Sequence, residues 1–112
     1  MASVRRSAKS APVTEQASAS HRDRLVGELR SDPGLAAEYL NAAAEDEDPR
    51  VYLAALRTVA EAQGMAKVAE MAGVPRESLY RALSAQGNPR FTTLQAILRA
   101  TGFRLAVQTL RR

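Results

Sequence analysis

Between Gly64 and Gly102 the chain reads GMAKVAEMAGVPRESLYRALSAQGNPRFTTLQAILRATG, two short apolar-periodic segments hinged at Gly73 and followed by a third. The first, Met65 to Ala72, is about two helical turns with Val68, Met71 and Ala72 expected inward. Ala69, four residues before Gly73, is small enough for two helices to approach closely, and glycine readily takes the positive φ of a tight turn. The second segment opens near Pro75, presents Leu79, Ala82 and Leu83 at i, i+3 and i+4, and is expected to close around Gly87. That spacing leaves Arg76, Glu77, Tyr80 and Arg81 facing out. Two helices joined by a short glycine turn form a helix-turn-helix unit, whose second helix enters the DNA major groove by its N-terminal turn. Thr92 and Gln95 then predict a capping box for a third helix carrying Leu94, Ile97, Leu98 and Thr101, ended by Gly102.

Working outward toward the N-terminus, Asp48 followed by Pro49 has the form of an N-cap with proline at the first helical position. The helix it opens carries Tyr52, Leu53, Leu56, Val59 and Ala60 on one face, and Gly64 is expected to end it as a left-handed cap. Asp32 and Pro33 repeat the signal for a helix through Leu35, Ala36, Tyr39 and Leu40 to Ala44. The charged connector Glu45 to Asp48 separates the two. Arg22 to Arg30 places Leu25, Val26 and Leu29 at helical spacing and predicts one more short helix. Toward the C-terminus, Phe103 to Gln108 alternates apolar with mostly polar residues at period two, which predicts a short strand. A lone strand cannot satisfy its own backbone, so it pairs with its mate across a dimer or adds to a sheet edge elsewhere in the protein or in a partner. The expected organisation is a disordered basic tail over 1–20, a helical segment over 21–47, and a helix-turn-helix domain with its strand over 48–112.

Composition narrows the function. With 112 residues the chain has room for one small domain and no second catalytic one. It has no cysteine, hence neither a disulfide framework nor a thiolate site. No run approaches the roughly 18 apolar residues of a membrane span, and the first twenty lack the apolar block of a secretory signal, so a cytoplasmic location is expected. The net charge of +4 is unevenly distributed. From Ser31 to Ala62, Asp32, Glu38, Glu45, Asp46, Glu47, Asp48 and Glu61 oppose only Arg50 and Arg57. From Gln63 onward, Lys67, Arg76, Arg81, Arg90, Arg99, Arg104, Arg111 and Arg112 oppose only Glu70 and Glu77. A basic patch on a small helical fold is the electrostatic footprint of phosphate binding, and an acidic one repels DNA and attracts basic protein; the plainer account is two ordinary solvated faces. His21 is the sole histidine, and no carboxylate pair, phosphate loop or metal-ligand spacing accompanies it. Neither catalysis, a cofactor nor a metal is expected.

Position on the second helix assigns the chemistry of reading. Arg76 and Arg81 lie on its exposed side, and arginine binds guanine O6 and N7 bidentately, which makes these two the first choice as base readers. Glu77 either accepts from a cytosine N4 amine or favours the positive end of the helix dipole. Tyr80 either lies along the sugar-phosphate backbone or covers Arg76. Lys67, Ser78, Asn88 and Arg90 flank the reader and would contact phosphates, fixing register without reading sequence. Ser78 has an alternative as a cap, and Asn88 as turn chemistry in Gly-Asn-Pro.

From about Asp32 to Val107 the chain resembles the addiction-module antidote proteins, a branch of the Cro/C1-type helix-turn-helix superfamily. SLYRALSAQGNPRFTTLQAIL is the most specific block of the match, and AEYLNAA places it in this branch. The elements read above add up to an expected all-α, Cro/C1-like fold of five to six helices with a C-terminal strand, paired in a homodimer on double-stranded operator DNA. The resemblance implies an antitoxin that neutralises a RelE/ParE-like toxin and represses its own operon. The superfamily often has serine or threonine where this chain has Pro75, which leaves the start of the reading helix open by a residue. Toxins acting on RNA are expected to be basic, so Glu38, Tyr39, Glu45 and Asp46 are the candidate toxin contact. The competing account of Tyr39 and Leu40 is that they are core. A stand-alone helix-turn-helix regulator without a toxin is the alternative function.

Overall fold

The computed structural model describes residues 11–110, with side chains from Ser20 onward. Six helices follow one another: α1 (Ala11–Ser31), α2 (Pro33–Ala44), α3 (Pro49–Gln63), α4 (Met65–Ala72), α5 (Arg76–Ala82) and α6 (Phe91–Ala100). The first is longer than expected, beginning at Ala11 inside the segment read as a disordered tail; the first ten residues of that segment lie outside the described residues. The stretch APVTEQASAS that opens α1 is rich in alanine with Glu and Gln, all strong helix formers, and its proline sits in the first turn, where no hydrogen bond is lost. Arg30 in the last turn suits the negative end of the helix dipole, and its Nε donates to the carbonyl of Ala62 at 2.7 Å, tying α1 to the end of α3.

Both Asp-Pro signals work as read. Asp32 holds an extended conformation and its carboxylate accepts from Leu35 N at 3.1 Å, while Asp48 accepts from Arg50 N at 2.9 Å. Each satisfies an N–H that the helix itself leaves unpaired. At the other end of α3, Gly64 has φ 104° and ψ 113°, a positive φ but outside the left-handed helical region expected for it. It caps α3 and starts α4 at a single residue, so one glycine makes the whole connection. Gly73, at φ 74° and ψ 30°, is a left-handed cap as expected.

The core takes side chains from every helix: Leu29, Leu40, Leu56, Val59, Val68, Leu79, Leu83, Ile97 and Leu98 are all at most 4 % exposed. α1, α2 and α3 pack on one another, and α4 bridges α3 to α5 and α6. Met71, expected inward, is 61 % exposed. The inner stripe of α4 is Met65, Val68 and Ala69, continued one turn on by Ala72, and Met71 falls off that period of 3.6. The two buried hydroxyls are satisfied locally, Thr58 by Ala54 O and Thr101 by Ile97 O and Leu98 O.

Three further expectations are corrected. α5 ends at Ala82 with Leu83 as its cap, short of Gly87. Gly87 matters for a different reason: a Cβ there would stand 2.2 Å from the Ala82 carbonyl oxygen, so the backbone itself packs against the end of α5. α6 starts at Phe91 after an extended Arg90, with no side-chain cap. Thr92 is therefore inside the first turn, where its hydroxyl is not the cap, and the predicted box with Gln95 does not form; the inward set Leu94, Ile97, Leu98 and Thr101 is unaffected. Finally, no strand occurs among the described residues, and Phe103 to Leu110 has no regular structure. Phe103 packs against the core, but Val107 is 97 % exposed. A single helical chain offers no sheet edge to pair with the backbone of this segment.

Candidate nucleic-acid interface

α5 is anchored from below and open above. Leu79 is 0 % exposed and Leu83 1 %, while Arg76, Glu77 and Arg81 are exposed on the other side. Pro75, extended at φ −61° and ψ 149°, is the N-cap, so the helix proper begins at Arg76, and no side chain caps it. Proline cannot offer the hydroxyl that serine or threonine would place there. Glu77 in the first turn and Arg81 in the last match the helix dipole.

Tyr80 is half-buried, and two guanidiniums stack on it: Arg76 at 5.9 Å from the ring centroid, one turn earlier on the same helix, and Arg57 of α3 at 5.4 Å. The covering role proposed for Tyr80 over Arg76 is thus what its geometry provides. Each such contact contributes about 0.5–1 kcal/mol at an exposed site. Arg57 in turn donates from Nε to Glu61 at 3.3 Å, and the other oxygen of Glu61 accepts from Arg22 of α1. A line of contacts therefore runs Arg22–Glu61–Arg57–Tyr80–Arg76, from α1 through α3 to the outer face of α5.

Arg57 is the residue that sequence reasoning missed. Its i, i+4 relation to Glu61 was legible as an ordinary helical ion pair, but its contact with Tyr80 joins distant parts of the chain and leaves no local spacing. The expected phosphate contacts are solvent-accessible: Lys67 on α4, and Asn88 and Arg90 in the turn before α6, are exposed, and Ser78 is half-buried. Among the described residues, Arg76 and Tyr80 are the one pair of candidate side chains in a resolved mutual contact, and Lys67, Arg76, Arg81 and Arg90 make no ion pair.

The acidic candidates are arranged otherwise. Glu38 and Glu45 are exposed. Tyr39 is half-buried against the core and Leu40 only 4 % exposed, which bears out the core account of Leu40. Asp46 accepts from Asp48 N at 2.8 Å, and Asp48 forms a forked ion pair with Arg50, the closest approach 2.8 Å. The Arg50 guanidinium, chiefly by hydrogen bonding, holds the Asp48 carboxyl below the usual carboxylate range. Burial of Tyr52 pushes its phenol up from the ordinary value. Among the described residues no three His, Asp or Glu side chains converge as a metal site would require, and no helix is long and apolar enough to cross a membrane.

Comparison with known proteins sets this geometry in context. Residues 24–109 match the model of a family described as probable addiction module antidote protein. A protein of Haemophilus influenzae, described only as uncharacterized, is 39 % identical over 70 residues, covering 62 % of this chain and 72 % of the relative. No solved structure matches significantly.

Proposed function

The chain belongs to the family of probable addiction module antidote proteins, and on that premise we propose that it is an antitoxin that neutralises a RelE/ParE-like toxin and represses its own operon as a Cro/C1-type helix-turn-helix dimer. A toxin partner follows in general terms from the family; its class, the DNA site and the dimer are this reading's own. The observation that carries the DNA half is α5, a helix held by two fully buried leucines whose opposite face offers Arg76 and Arg81, neither of them in an ion pair among the described residues. Charge without an internal partner, on a rigid element, is what base readout needs. In this reading Arg76 and Arg81 take guanine edges, Tyr80 holds Arg76 in place, and Glu77 serves the helix dipole or a cytosine amine. Lys67, Ser78, Asn88 and Arg90 fix the register on phosphates. The toxin side falls to the exposed acids Glu38 and Glu45 with Asp46 and the half-buried Tyr39, on α2 and the connector after it, away from the reader in sequence and opposite in charge.

Co-expression with each adjacent reading frame tests the proposal. Growth arrest by a neighbour alone, rescue by this chain and co-purification of the two are expected. No toxicity and no complex would leave a free-standing repressor instead.

A further inference from the structure

A cleft of about 340 Å³ opens between α1, α3 and the turn that follows α5. Arg22, Arg50 and Arg57 all line it, together with the apolar side chains of exposed Ala54 and buried Leu83. Three cations around one concavity repel one another, and the two acids that partner them, Glu61 and Asp48, are not among its lining residues. Glu61 is shared by Arg22 and Arg57, so two guanidiniums have one carboxylate between them. The pairs are open to water, with the Arg22 and Arg50 side chains 55 % and 67 % exposed, so their mutual attraction is weak and an incoming anion competes with it readily.

We propose that this cleft is a phosphate site, holding one phosphodiester of the operator on the flank of the reading helix. The inference rests on the DNA-binding reading above and extends its footprint to α1 and α3. Two observations favour a phosphate of the same duplex over an acidic protein segment. Ser84 and Ala85 at the cleft rim follow directly on α5, so the cleft is continuous with the helix that reads the bases. Arg57 belongs to both places, lining the cleft and stacking on Tyr80, which itself holds Arg76. The forked geometry of arginine suits a phosphate's paired oxygens, and one phosphodiester charge balances the one guanidinium that Glu61 and Asp48 leave uncompensated. Arg22 and Arg50 act as phosphate ligands, and Arg57 also positions Tyr80.

The test is the salt dependence of operator binding by the full chain, with melting temperature as a control for folding. The double variant Arg22→Ala/Arg50→Ala is expected to lower the slope of log affinity against log salt by about 0.9, the contribution of one phosphate, with base preference unchanged. Arg22→Lys/Arg50→Lys, which keeps the charges, is expected to restore the slope. Glu61→Gln is expected to tighten binding by freeing Arg22 and Arg57, whereas a purely structural Glu61 would leave affinity the same or weaken it. Wild-type operator binding with slope and affinity unchanged in the alanine variant would overturn the cleft site alone. Absence of specific DNA binding by the wild type would overturn the DNA reading and the cleft with it. Loss of binding to the protein partner, with DNA affinity intact, would reassign the cleft to an acidic segment of that partner.

Discussion

The connector Glu45–Asp48 and helix α5 are both densely charged, yet they use charge in different ways. In the connector, Asp46 accepts the Asp48 amide and Asp48 caps α3 while pairing with Arg50. Two of its four acids, Asp46 and Asp48, hold the start of a helix, while Glu45 and Glu47 stay exposed. On α5 the N-cap is a proline with nothing to donate or accept from its side chain, and Arg76 and Arg81 face solvent and, among the described residues, make no ion pair, not even with the neighbouring Glu77. Charges answered within the chain maintain the fold, and charges left unanswered on a firmly packed helix are available to a ligand. Glu61 lies between the two cases, since one carboxylate serves two arginines.

Several substitutions break or sharpen that contrast. The largest effect is expected beneath α5: Leu79→Ala should cost about 2–5 kcal/mol by leaving a cavity in the core, read from denaturant unfolding. A cost under about 1 kcal/mol would mean that α5 is not held as described. Gly87→Ala, which drives a Cβ into the Ala82 carbonyl, should cost about 1–3 kcal/mol and weaken DNA binding through the end of α5. Arg81→Ala should leave the melting temperature in place but weaken operator binding by about 1–3 kcal/mol and relax preference at one base pair. An unchanged footprint would remove Arg81 from the reader. On the other side of the comparison, Asp32→Ala should cost about 1 kcal/mol of stability through loss of the α2 cap and leave DNA binding alone.

The smallest effect is one of pH. The folded Asp48 carboxyl titrates below its ordinary value of 3.8, so the unfolded chain takes up that proton first. The contribution of the Asp48–Arg50 pair is therefore complete above the unfolded value and is lost as pH falls through the folded one. Asp48→Asn should flatten that part of the acid unfolding curve, and an unaltered curve would mean that the pair does not bear on stability.

Much of this was legible because the deciding signals are local. The two Asp-Pro caps, Gly73 and the i, i+3, i+4 set Leu79, Ala82 and Leu83 act within one or two turns, and each marks what it is expected to mark. The corrected points depend on context that local spacing does not carry. Thr92 and Gln95 have the composition of a capping box, but the helix starts two residues earlier, with Arg90 as N-cap and Phe91 as its first residue. The alternation after Gly102 needs a second edge before it can become a strand, and the described residues offer none. Met71 has the i, i+3 spacing to Val68 that predicts an inward position, but the packed stripe is centred on Met65, Val68 and Ala69, which leaves it outside. The candidate site divides in the same way: the outward face of α5 follows from its period, whereas the stack of Arg57 on Tyr80 and the sharing of Glu61 are products of tertiary packing.

One experiment reaches the central claim, that neutralisation and repression reside on separate surfaces. In cells carrying the neighbouring toxin frame and a reporter on the operon's own promoter, wild type is compared with Arg76→Ala/Arg81→Ala. The account predicts that both proteins restore growth and that only the wild type silences the reporter. Loss of growth rescue together with repression, in a variant that still folds, would contradict it.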